Sequence, residues 1–478
     1  MLRGCLSTIW IVRSLAALSL LILFYEFFQP HSFQESLKPF HGSGDVKGEL
    51  AGARSPKDLV GFWSTFAETL EEARPRCRNL TIEHAHPNDT ETTWEPDKPD
   101  KPRVDHLKLS GLEFSALRES HAYMINQSVV QAPSLYYERG TKGIVMTAGP
   151  RYIPILLVSL RLIRRSGSQL PVEVFLGSWD EYDATICEET LPRLGARCRI
   201  ISEVYDNAPG VASPKSYQFK IFSILFSSFE DVLFLDADAF PGRNPDGLFA
   251  TEPYTSHGLV VWPDIFANTA SSMYFEIAGI AKPPPVSLRL SSESGQLLLS
   301  KKRHAASLLL MTYYNYFGPE YYYPLLCQNS HGAGDKETFI HAAMALDLPF
   351  WDVRERPWCL GTWKNGEFKM VAMAQADCSD DWKIATGRNT SADPSIARPM
   401  FVHNHFEKLN PESIIREDGP TRDGSGEYQR MWGSKDTIMQ RFGRDLEQTL
   451  WQEVLTSGCE TGASTCSKIK NYYTTVYV

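Results

Sequence analysis

The sequence has no surplus of positive charge, because its 48 lysine and arginine residues are outnumbered by 57 aspartate and glutamate residues, which gives a formal net charge of −9. Proteins that bind nucleic acid without sequence preference need such a surplus to displace counterions from phosphates. The sequence also lacks the Cys-x-x-Cys spacing of common zinc and thioredoxin-type sites, and it contains no internal repeat. These absences exclude nucleic acid as an expected partner and argue against a zinc or dithiol centre.

Apolar residues, in contrast, are plentiful. Hydrophobic side chains make up 43% of the 478 residues and aromatic side chains 12%. A chain of this length and composition can bury a large core. We therefore expect one large folded domain or two ordinary ones.

Nine cysteines are present, and Cys5 lies within an apolar N-terminal segment. The other eight are an even number without metal-site spacing, which indicates structural disulfides if the compartment is oxidising. The predicted pairs are Cys187–Cys198, Cys359–Cys378, Cys459–Cys466 and Cys77–Cys327. Buried free thiols are the alternative, because connectivity is not encoded in a single sequence.

An apolar run of transmembrane length extends from Leu6 to Phe28, with Arg3 before it. An uncleaved signal anchor is favoured over a cleaved signal peptide, because bulky residues continue through the run and no small-x-small site follows closely. Positive charge on the short N-terminal side would keep that side cytoplasmic and the rest lumenal. We expect a cytoplasmic tail over 1–5, an anchor over 6–28, a lumenal stem and N-terminal extension over 29–135, and the main domain over 136–478.

Two segments of the predicted stem are poor in core-forming residues. His41 to Arg54 is rich in Gly and Ser, and Glu83 to Val104 is crowded with Pro, Asp, Glu and Thr. Between them, Pro56 to Cys77 has helical periodicity and is predicted to pack on the main domain. Sequons at Asn79, Asn88, Asn126 and Asn389 fit a lumenal location.

The most informative stretch is a short apolar run, Val232 to Leu235, that stops at Asp236 and Asp238. The run predicts a buried strand, and ligands of open α/β sheets bind outside the carboxyl ends of such strands. Residues two apart on a strand share one face, so both carboxylates can reach one hard divalent cation. A bare Asp-x-Asp is weak evidence by itself, because aspartates also begin turns.

Strand and helix patterns alternate around this stretch. Ile144 to Thr147 and Pro171 to Leu176 are predicted strands, and Ile153 to Arg165 and Tyr217 to Phe229 are predicted helices. This alternation favours a mostly parallel sheet with right-handed crossovers, typical of nucleotide-binding α/β domains.

Further candidate residues follow along the chain. Glu293 precedes Gly295, a glycine that would allow close backbone approach to a ligand or simply make a turn. Asp335 lies at a predicted helix start, where it would be either an N-cap or a fixed functional carboxylate. The strand ending at His403 and His405 could supply a third metal ligand, and Lys408 beyond it could neutralise phosphate charge.

Aromatic residues raise the same choice between function and packing. Trp262, on a predicted strand, and the tyrosine-rich run from Tyr313 to Tyr323 would suit either carbohydrate contact or an ordinary core.

Eight sequence blocks occur together, in one order, over roughly residues 140 to 412. They are Gly143–Gly149, Leu170–Phe175, Tyr217–Lys220, Ser227–Asp238, Trp262–Asp264, Glu293–Gln296, Gly334–Phe339, and Phe401–His403 with Lys408–Pro411. Together they resemble the fungal Golgi α-mannosyltransferases that build outer chains on glycoproteins.

The resemblance implies a GT-A-like nucleotide-sugar-binding fold, type II topology in the Golgi membrane, and GDP-mannose as the donor. It implies that Asp236, Asp238 and His403 hold Mn²⁺, with His405 as the alternative to His403. The residues it implies for nucleotide and phosphate binding are Gly143, Thr147, Gly149, Lys220, Asp236 and Lys408. The residues it implies for catalysis beside the donor sugar are Asp335 and Glu293.

The resemblance therefore predicts a retaining α-mannosyltransferase acting on a mannose-containing glycan, with α-1,3 linkage preferred and α-1,2 as the alternative. A catalytically silent relative that binds glycans is the rival hypothesis. A secreted hydrolase is disfavoured, because Asp236 and Asp238 are too close together to flank a glycosidic bond.

Overall fold

The computed structural model describes residues 57–82, 101–208 and 210–478. The predicted anchor and most of the predicted stem lie outside these residues. Within the described ranges, no helix combines the length and the hydropathy needed to cross a membrane.

The central feature is a seven-stranded sheet with the order β3-β2-β1-β4-β7-β6-β8. Its strands are β1 (Glu138–Thr147), β2 (Val172–Leu176), β3 (Ala196–Ile200), β4 (Phe229–Leu235), β6 (Leu259–Ala267), β7 (Leu290–Ser300) and β8 (Trp351–Asp352). Neighbouring strands are parallel except where β7 runs against β4 and β6. The prediction of an α/β fold with a mostly parallel sheet is confirmed.

Ten helices of at least eight residues surround this sheet in the described part of the chain. They are α1 (Lys57–Glu72), α2 (Gly111–Gln131), α3 (Ile153–Arg165), α4 (Gln218–Phe226), α5 (Ala305–Tyr316), α6 (Thr338–Ala345), α7 (Cys378–Ala385), α8 (Lys435–Phe442), α9 (Leu446–Thr461) and α10 (Ala463–Tyr477). Shorter helical segments lie at Ala132–Ser134, Pro150–Tyr152, Trp179–Glu181, Thr185–Thr190, Leu191–Arg193, Ser202–Tyr205, Asp246–Ala250, Tyr254–His257, Ser272–Ile277, Val286–Leu288, Gly318–Tyr322 and Tyr323–Cys327.

Strand β4 is buried on both faces, as its unbroken apolar run predicts. Val232 and Phe234 pack into one hydrophobic cluster with α4 and α5, whereas Leu233 and Leu235 pack into a second cluster with α3. Side chains of a strand alternate between the two faces of the sheet, so helices on both sides are needed to cover it.

The predicted helix between Pro56 and Cys77 is confirmed as α1, and it belongs to the core. Trp63 is fully buried, and its indole donates a hydrogen bond to the Tyr205 carbonyl at 2.9 Å. Phe66 lies in the same cluster, as does Leu117 from α2. Both helices therefore pack in the same hydrophobic core as β4.

A second sheet, which the sequence did not predict, has the order β5-β11-β10-β9 and is antiparallel. Its strands are β5 (Ala239–Pro241), β9 (Trp358–Lys364), β10 (Glu367–Ala376) and β11 (Pro399–His403). Because β5 follows the two aspartates directly and pairs with β11, His403 lies opposite Ala239 in the register. This pairing brings His403 to the edge of the main sheet.

Several aromatic residues for which the sequence left carbohydrate contact and core packing open belong to the core. Trp262 is fully buried, and its indole donates to the Ala376 carbonyl at 2.8 Å. In the tyrosine-rich run, Tyr313, Tyr314 and Tyr322 are also fully buried. The carbohydrate-contact interpretation is wrong for these four side chains, because no face of their rings reaches solvent.

Two of the four predicted disulfides form, Cys187–Cys198 and Cys459–Cys466. The other two predictions are wrong, since Cys77, Cys327 and Cys378 are free thiols. Strand geometry explains one failure: Cys359 pairs across the sheet with Met373, five residues before Cys378. Strand β10 ends at Ala376, so Cys378 lies beyond the residues that pair with β9 and does not face Cys359. Cys359 is itself disulfide-bonded, whereas Cys378 is a free thiol.

Candidate functional site

Two carboxylates project from the turn that joins the two sheets. The Asp236 amide donates to the Gly295 carbonyl at 2.9 Å, and the Ala239 amide closes a tight turn onto the Asp236 carbonyl at 2.9 Å. The Asp236 side chain is 27% exposed, whereas that of Asp238 is 5% exposed. The edge of the main sheet therefore presents one accessible and one buried carboxylate.

His403 joins these two aspartates. Asp236, Asp238 and His403 can each offer one ligand atom, and these atoms all lie within 4.8 Å of one another. His405 instead directs Nδ1 to the His403 carbonyl at 3.2 Å, so it is His403 that lies beside the aspartates. Two carboxylate oxygens and one imidazole nitrogen are a donor set that fits a divalent ion such as Mn²⁺.

His403 is held between two acids. Its Nε2 lies 3.2 Å from Asp238 Oδ1, and its Nδ1 lies 3.1 Å from Glu293 Oε1. Burial alone would lower the pKa of His403, but the charges of Glu293 and Asp238 outweigh burial and raise that pKa well above its usual value. Because one ring nitrogen faces Glu293, the orientation of the imidazole is fixed.

Gly295 makes this arrangement possible by having no side chain. A Cβ at this position would lie 2.5 Å from His403 Nδ1 and 3.0 Å from Glu293 Oε1. Gly295 thus admits the His403 and Glu293 side chains, while close backbone approach to a ligand stays a prediction. The turn interpretation is wrong, since residues 290–300 form one continuous strand.

Lys408 forms an ion pair with Asp238 Oδ2 on the open side of the cluster. Burial opposes the ionisation of Asp238, but His403 and Lys408 outweigh burial and hold the pKa of Asp238 below its usual value. Partial burial raises the pKa of Asp236, and the nearby Lys220 and His403 only partly offset this effect. The two aspartates thus differ in both exposure and charge environment.

Lys220, from α4, connects Asp236 to Asp335. Its Nζ lies 3.2 Å from Asp236 Oδ2 and 3.2 Å from Asp335 Oδ2, and it donates to the Ser294 carbonyl at 2.7 Å. Burial would lower the pKa of Lys220, but the neighbouring carboxylates, Asp236 first, raise it above its usual value.

The predicted N-cap role of Asp335 is wrong. Helix α6 begins at Thr338 with Glu337 at its N-cap position, so Asp335 lies in the preceding loop. There Asp335 Oδ1 accepts a hydrogen bond from the Ser294 hydroxyl at 3.3 Å. The Asp335 side chain therefore does not cap the helix and instead faces the Lys220 ammonium group.

The predicted nucleotide-binding residues separate into two groups. Thr147 ends β1, and Gly149 follows it, at the same edge of the sheet as Asp236. Gly143, in contrast, pairs with Val232 inside the sheet and packs against the Phe229 ring, where a Cβ would overlap that ring. The structure brings Thr147 and Gly149 to the site edge but not Gly143.

An ion pair to which no sequence motif points lies beside this cluster. Lys336 Nζ lies 3.0 Å from Asp264 Oδ2, and both side chains are buried. The only sequence signal was that both residues fall within the blocks carrying the family resemblance. Ser294, which bridges Lys220 and Asp335, was likewise not singled out.

Comparison with known proteins gives a consistent result. The mannosyltransferase family Mannosyl_trans3 matches residues 141–287 and 286–377. Alpha-1,2-mannosyltransferase MNN21 of Candida albicans is 33% identical over 413 residues, covering 72% of this chain and 61% of that protein. Alpha-1,2-mannosyltransferase MNN2 of Saccharomyces cerevisiae is 34% identical over 392 residues, covering 66% of this chain and 65% of that protein.

The chain belongs to the fungal mannosyltransferase family. The match to its relatives is partial, because the chain spans 61% of MNN21 and 46% of MNN24 of Candida albicans. Asp236 and Asp238 fall within the range that the family matches, whereas His403 lies beyond it.

Solved structures resemble this family member only distantly. Glycosyltransferase GlyE of Streptococcus pneumoniae aligns with a TM-score of 0.28 and 14% identity, covering 44% of this chain and 45% of that one. Galactosyltransferase LgtC gives a TM-score of 0.28 and 14% identity, covering 44% and 73%. A likeness this distant does not bear on function.

Proposed function

We propose that this chain is a metal-dependent retaining α-mannosyltransferase that moves mannose from GDP-mannose to a mannose-containing glycan. The observation that carries the proposal is the cluster of Asp236, Asp238 and His403 at the carboxyl edge of a largely parallel sheet. Ligands of open α/β folds bind at such an edge. Family membership supports the sugar and the reaction class.

Asp236, Asp238 and His403 are the residues that would hold Mn²⁺. When bound, the ion would offset the negative charge that develops on the departing diphosphate. Glu293 would act as a positioning residue, since its contact with Nδ1 leaves Nε2 of His403 turned toward Asp238.

The two lysines would have different roles at the site. Lys408 is 41% exposed and pairs with the buried Asp238, so its ammonium group can exchange that carboxylate for an entering phosphate. Lys220 is buried and held by Asp236, Asp335 and Ser294. We therefore assign Lys220 a role in positioning Asp236 and Asp335, and no direct contact with the substrate that enters from solvent.

Asp335 would face the donor sugar. A carboxylate fixed beside the leaving group can stabilise positive charge at the anomeric carbon in the transition state. Its contacts with Lys220 and Ser294 keep it in place, which is the preorganisation that such stabilisation needs.

The linkage that we propose is α-1,2 in place of the α-1,3 linkage expected from the sequence, because the relatives named above are called alpha-1,2-mannosyltransferases. We further propose a GT-A-like fold and a single-pass type II protein of the Golgi membrane, anchored by residues 6–28, with the domain over 136–478 in the lumen. Family membership and the apolar N-terminal run support these assignments.

The test is transfer from GDP-mannose to a short mannose oligosaccharide by the purified full-length chain, with Mn²⁺ and after chelation. Asp238→Asn should lower transfer by about 100-fold or more, because a catalytic metal supplies several kcal/mol of transition-state stabilisation. Asp418→Asn is the matched control, since that side chain is 89% exposed.

Linkage analysis of the product separates α-1,2 from α-1,3. Glycan binding by the wild-type protein without transfer or GDP-mannose hydrolysis would favour the catalytically silent alternative. Full transfer by Asp238→Asn at ordinary Mn²⁺ concentrations would refute the metal assignment.

A further inference from the structure

Beyond the metal cluster, the same sheet edge carries a second feature that no motif assigned. Strand β2 ends at Leu176, and a short helical turn, Trp179–Glu181, follows it directly. Because β2 lies two strands from β4, this turn is displaced from Asp236 by roughly 10 Å across the sheet. A nucleoside diphosphate with its phosphates at the cluster would extend its base in this direction or away from the sheet.

The Glu181 carboxylate lies beside Gly177, which follows β2, and near Gly149, which follows β1. Its Oε2 accepts the Gly177 amide at 2.7 Å. A Cβ on Gly177 would lie 3.3 Å from both carboxylate oxygens, and one on Gly149 would lie 3.9 Å from Oε1. A side chain at position 177 would therefore crowd the carboxylate, whereas one at position 149 would only come into ordinary contact with it.

An exposed aromatic ring accompanies this carboxylate. Trp179 is 48% exposed, and its ring centroid lies 5.0 Å from that of Tyr182. An indole held by a neighbouring ring and open to solvent offers a stacking face, and bases stack on such faces whatever their sequence. On the other side, Phe219 approaches Gly177, and the next residue of α4 is Lys220. The turn and the metal cluster are thus linked through α4.

We propose that Glu181 reads the Watson–Crick edge of the donor's guanine while Trp179 stacks on its face, an inference that rests on the proposed function. A carboxylate is an acceptor without donors. Guanine presents two adjacent donors, N1–H and the N2 amino group, which a carboxylate can accept together. Adenine, cytosine and uracil each present at least one acceptor beside their donor, so Glu181 selects against them.

The ribose hydroxyls are the other donors that Glu181 could bind. Position favours the base, because a ribose following phosphates at β4 would lie over β1, the intervening strand. The stacking face of Trp179 also suits a flat base rather than a sugar ring edge. The two assignments differ in which nucleotide analogue they penalise.

The experiment measures binding of GDP, IDP, 2′-deoxy-GDP and UDP to the full-length chain with Mn²⁺. IDP lacks only the N2 amino group. The wild-type protein should bind GDP about tenfold to a hundredfold more tightly than IDP, the range of a bidentate contact. Glu181→Gln keeps an acceptor for the Gly177 amide, and it should weaken GDP and remove most of the preference over IDP.

Asp180→Asn, one residue away on the same exposed turn, is the matched control and should leave all four affinities unchanged. Trp179→Ala should weaken GDP and UDP by a similar factor. An unchanged ratio of GDP to IDP affinity in Glu181→Gln, or a wild-type protein that does not distinguish GDP from IDP, overturns the inference. If Glu181→Gln loses only the discrimination against 2′-deoxy-GDP, Glu181 binds the ribose, and the inference is overturned.

These outcomes are separate from failure of the proposed function. A wild-type protein that transfers mannose yet binds GDP and IDP equally refutes the guanine contact alone. A wild-type protein that binds none of the four nucleotides with Mn²⁺ refutes the proposed function and this inference with it.

Discussion

A methyl group at position 295 is a direct probe of the proposed metal site, because it would enter the space that the His403 imidazole occupies. In Gly295→Ala the new Cβ would lie 2.5 Å from His403 Nδ1, whereas ordinary van der Waals contact begins at 3.4 Å. The imidazole or the strand must therefore move by about 1 Å, a displacement that can cost a catalytic centre about 100-fold in rate. The backbone of β7 itself does not require glycine, because φ at residue 295 is not positive.

The expected result is a loss of about 10- to 100-fold in Mn²⁺ affinity, the usual effect of disturbing the groups that orient a metal ligand. Metal binding is measured by titration with Mn²⁺ and by the Mn²⁺-dependent shift of the thermal unfolding midpoint. Transfer activity at saturating Mn²⁺ should fall as well, since the ligand geometry remains altered when the site is full.

Gly247→Ala is the matched control, because no heavy atom lies within 4 Å of a Cβ there. It should bind Mn²⁺ and transfer mannose as the wild-type protein does. If a folded Gly295→Ala protein bound Mn²⁺ within about twofold of wild type, the assignment of His403 as a ligand would be refuted, because the imidazole or the strand must shift by about 1 Å.

Three other predictions concern Lys408, the first disulfide and Lys301. Lys408→Met removes the cation that competes with Mn²⁺ for Asp238, so Mn²⁺ affinity should stay the same or rise while the KM for GDP-mannose increases. A fall in Mn²⁺ affinity would contradict the proposal that Lys408 exchanges Asp238 for an entering phosphate. Replacing Cys187 and Cys198 together by Ser should lower the free energy of unfolding by about 3 kcal/mol, the loop-closure value for a separation of 11 residues, as measured by urea unfolding. Burial lowers the pKa of Lys301 to about 7, below its unfolded value of 10.5, so the folded protein binds fewer protons between these values and its stability should rise with pH across that window. Lys301→Met should flatten that rise in urea unfolding at pH 7, 8 and 9, and an unchanged slope would refute the assignment.

The part of the fold nearest the aspartates could be predicted because its signals are local. An apolar run that stops at Asp236 indicates a buried strand with a polar edge, and helical spacing in Ile153 to Arg165 indicates its cover. Neither inference needs knowledge of any distant residue. The predicted bounds accordingly match those of α3 and the end of β4, which begins three residues before the predicted start.

The second sheet escaped prediction because its formation depends on pairing between distant segments. Strand β5 has three residues, too few for a periodic signal, and its partner β11 begins 160 residues later. The sequence indicated that His403 ends a strand, but only the pairing with Ala239 brings it to Asp238. Glu181 was missed for a different reason, since an acidic residue in a short exposed turn resembles any solvated loop.

Burial of charge does not by itself distinguish the site from the rest of the molecule. Glu337 is also buried, and its two oxygens accept hydrogen bonds from Ser291, the Ser292 amide, Arg289 and Asn268. Its hydrogen-bonding capacity is largely used within the protein, as expected of a structural ion pair.

The metal cluster differs because its charges are only partly satisfied by one another. Asp236 is 27% exposed and has Lys220 as its side-chain partner, and Lys408, which covers Asp238, is 41% exposed. A cluster with carboxylate oxygens and an exchangeable ammonium group at an open edge can accept a cation and an anion together. Glu337 can accept neither in this way, because its oxygens are occupied by protein donors. This opening, onto which Lys220 from α4, the aspartates after β4 and Lys408 after β11 converge, supports the proposal that the chemistry takes place at the edge of β4.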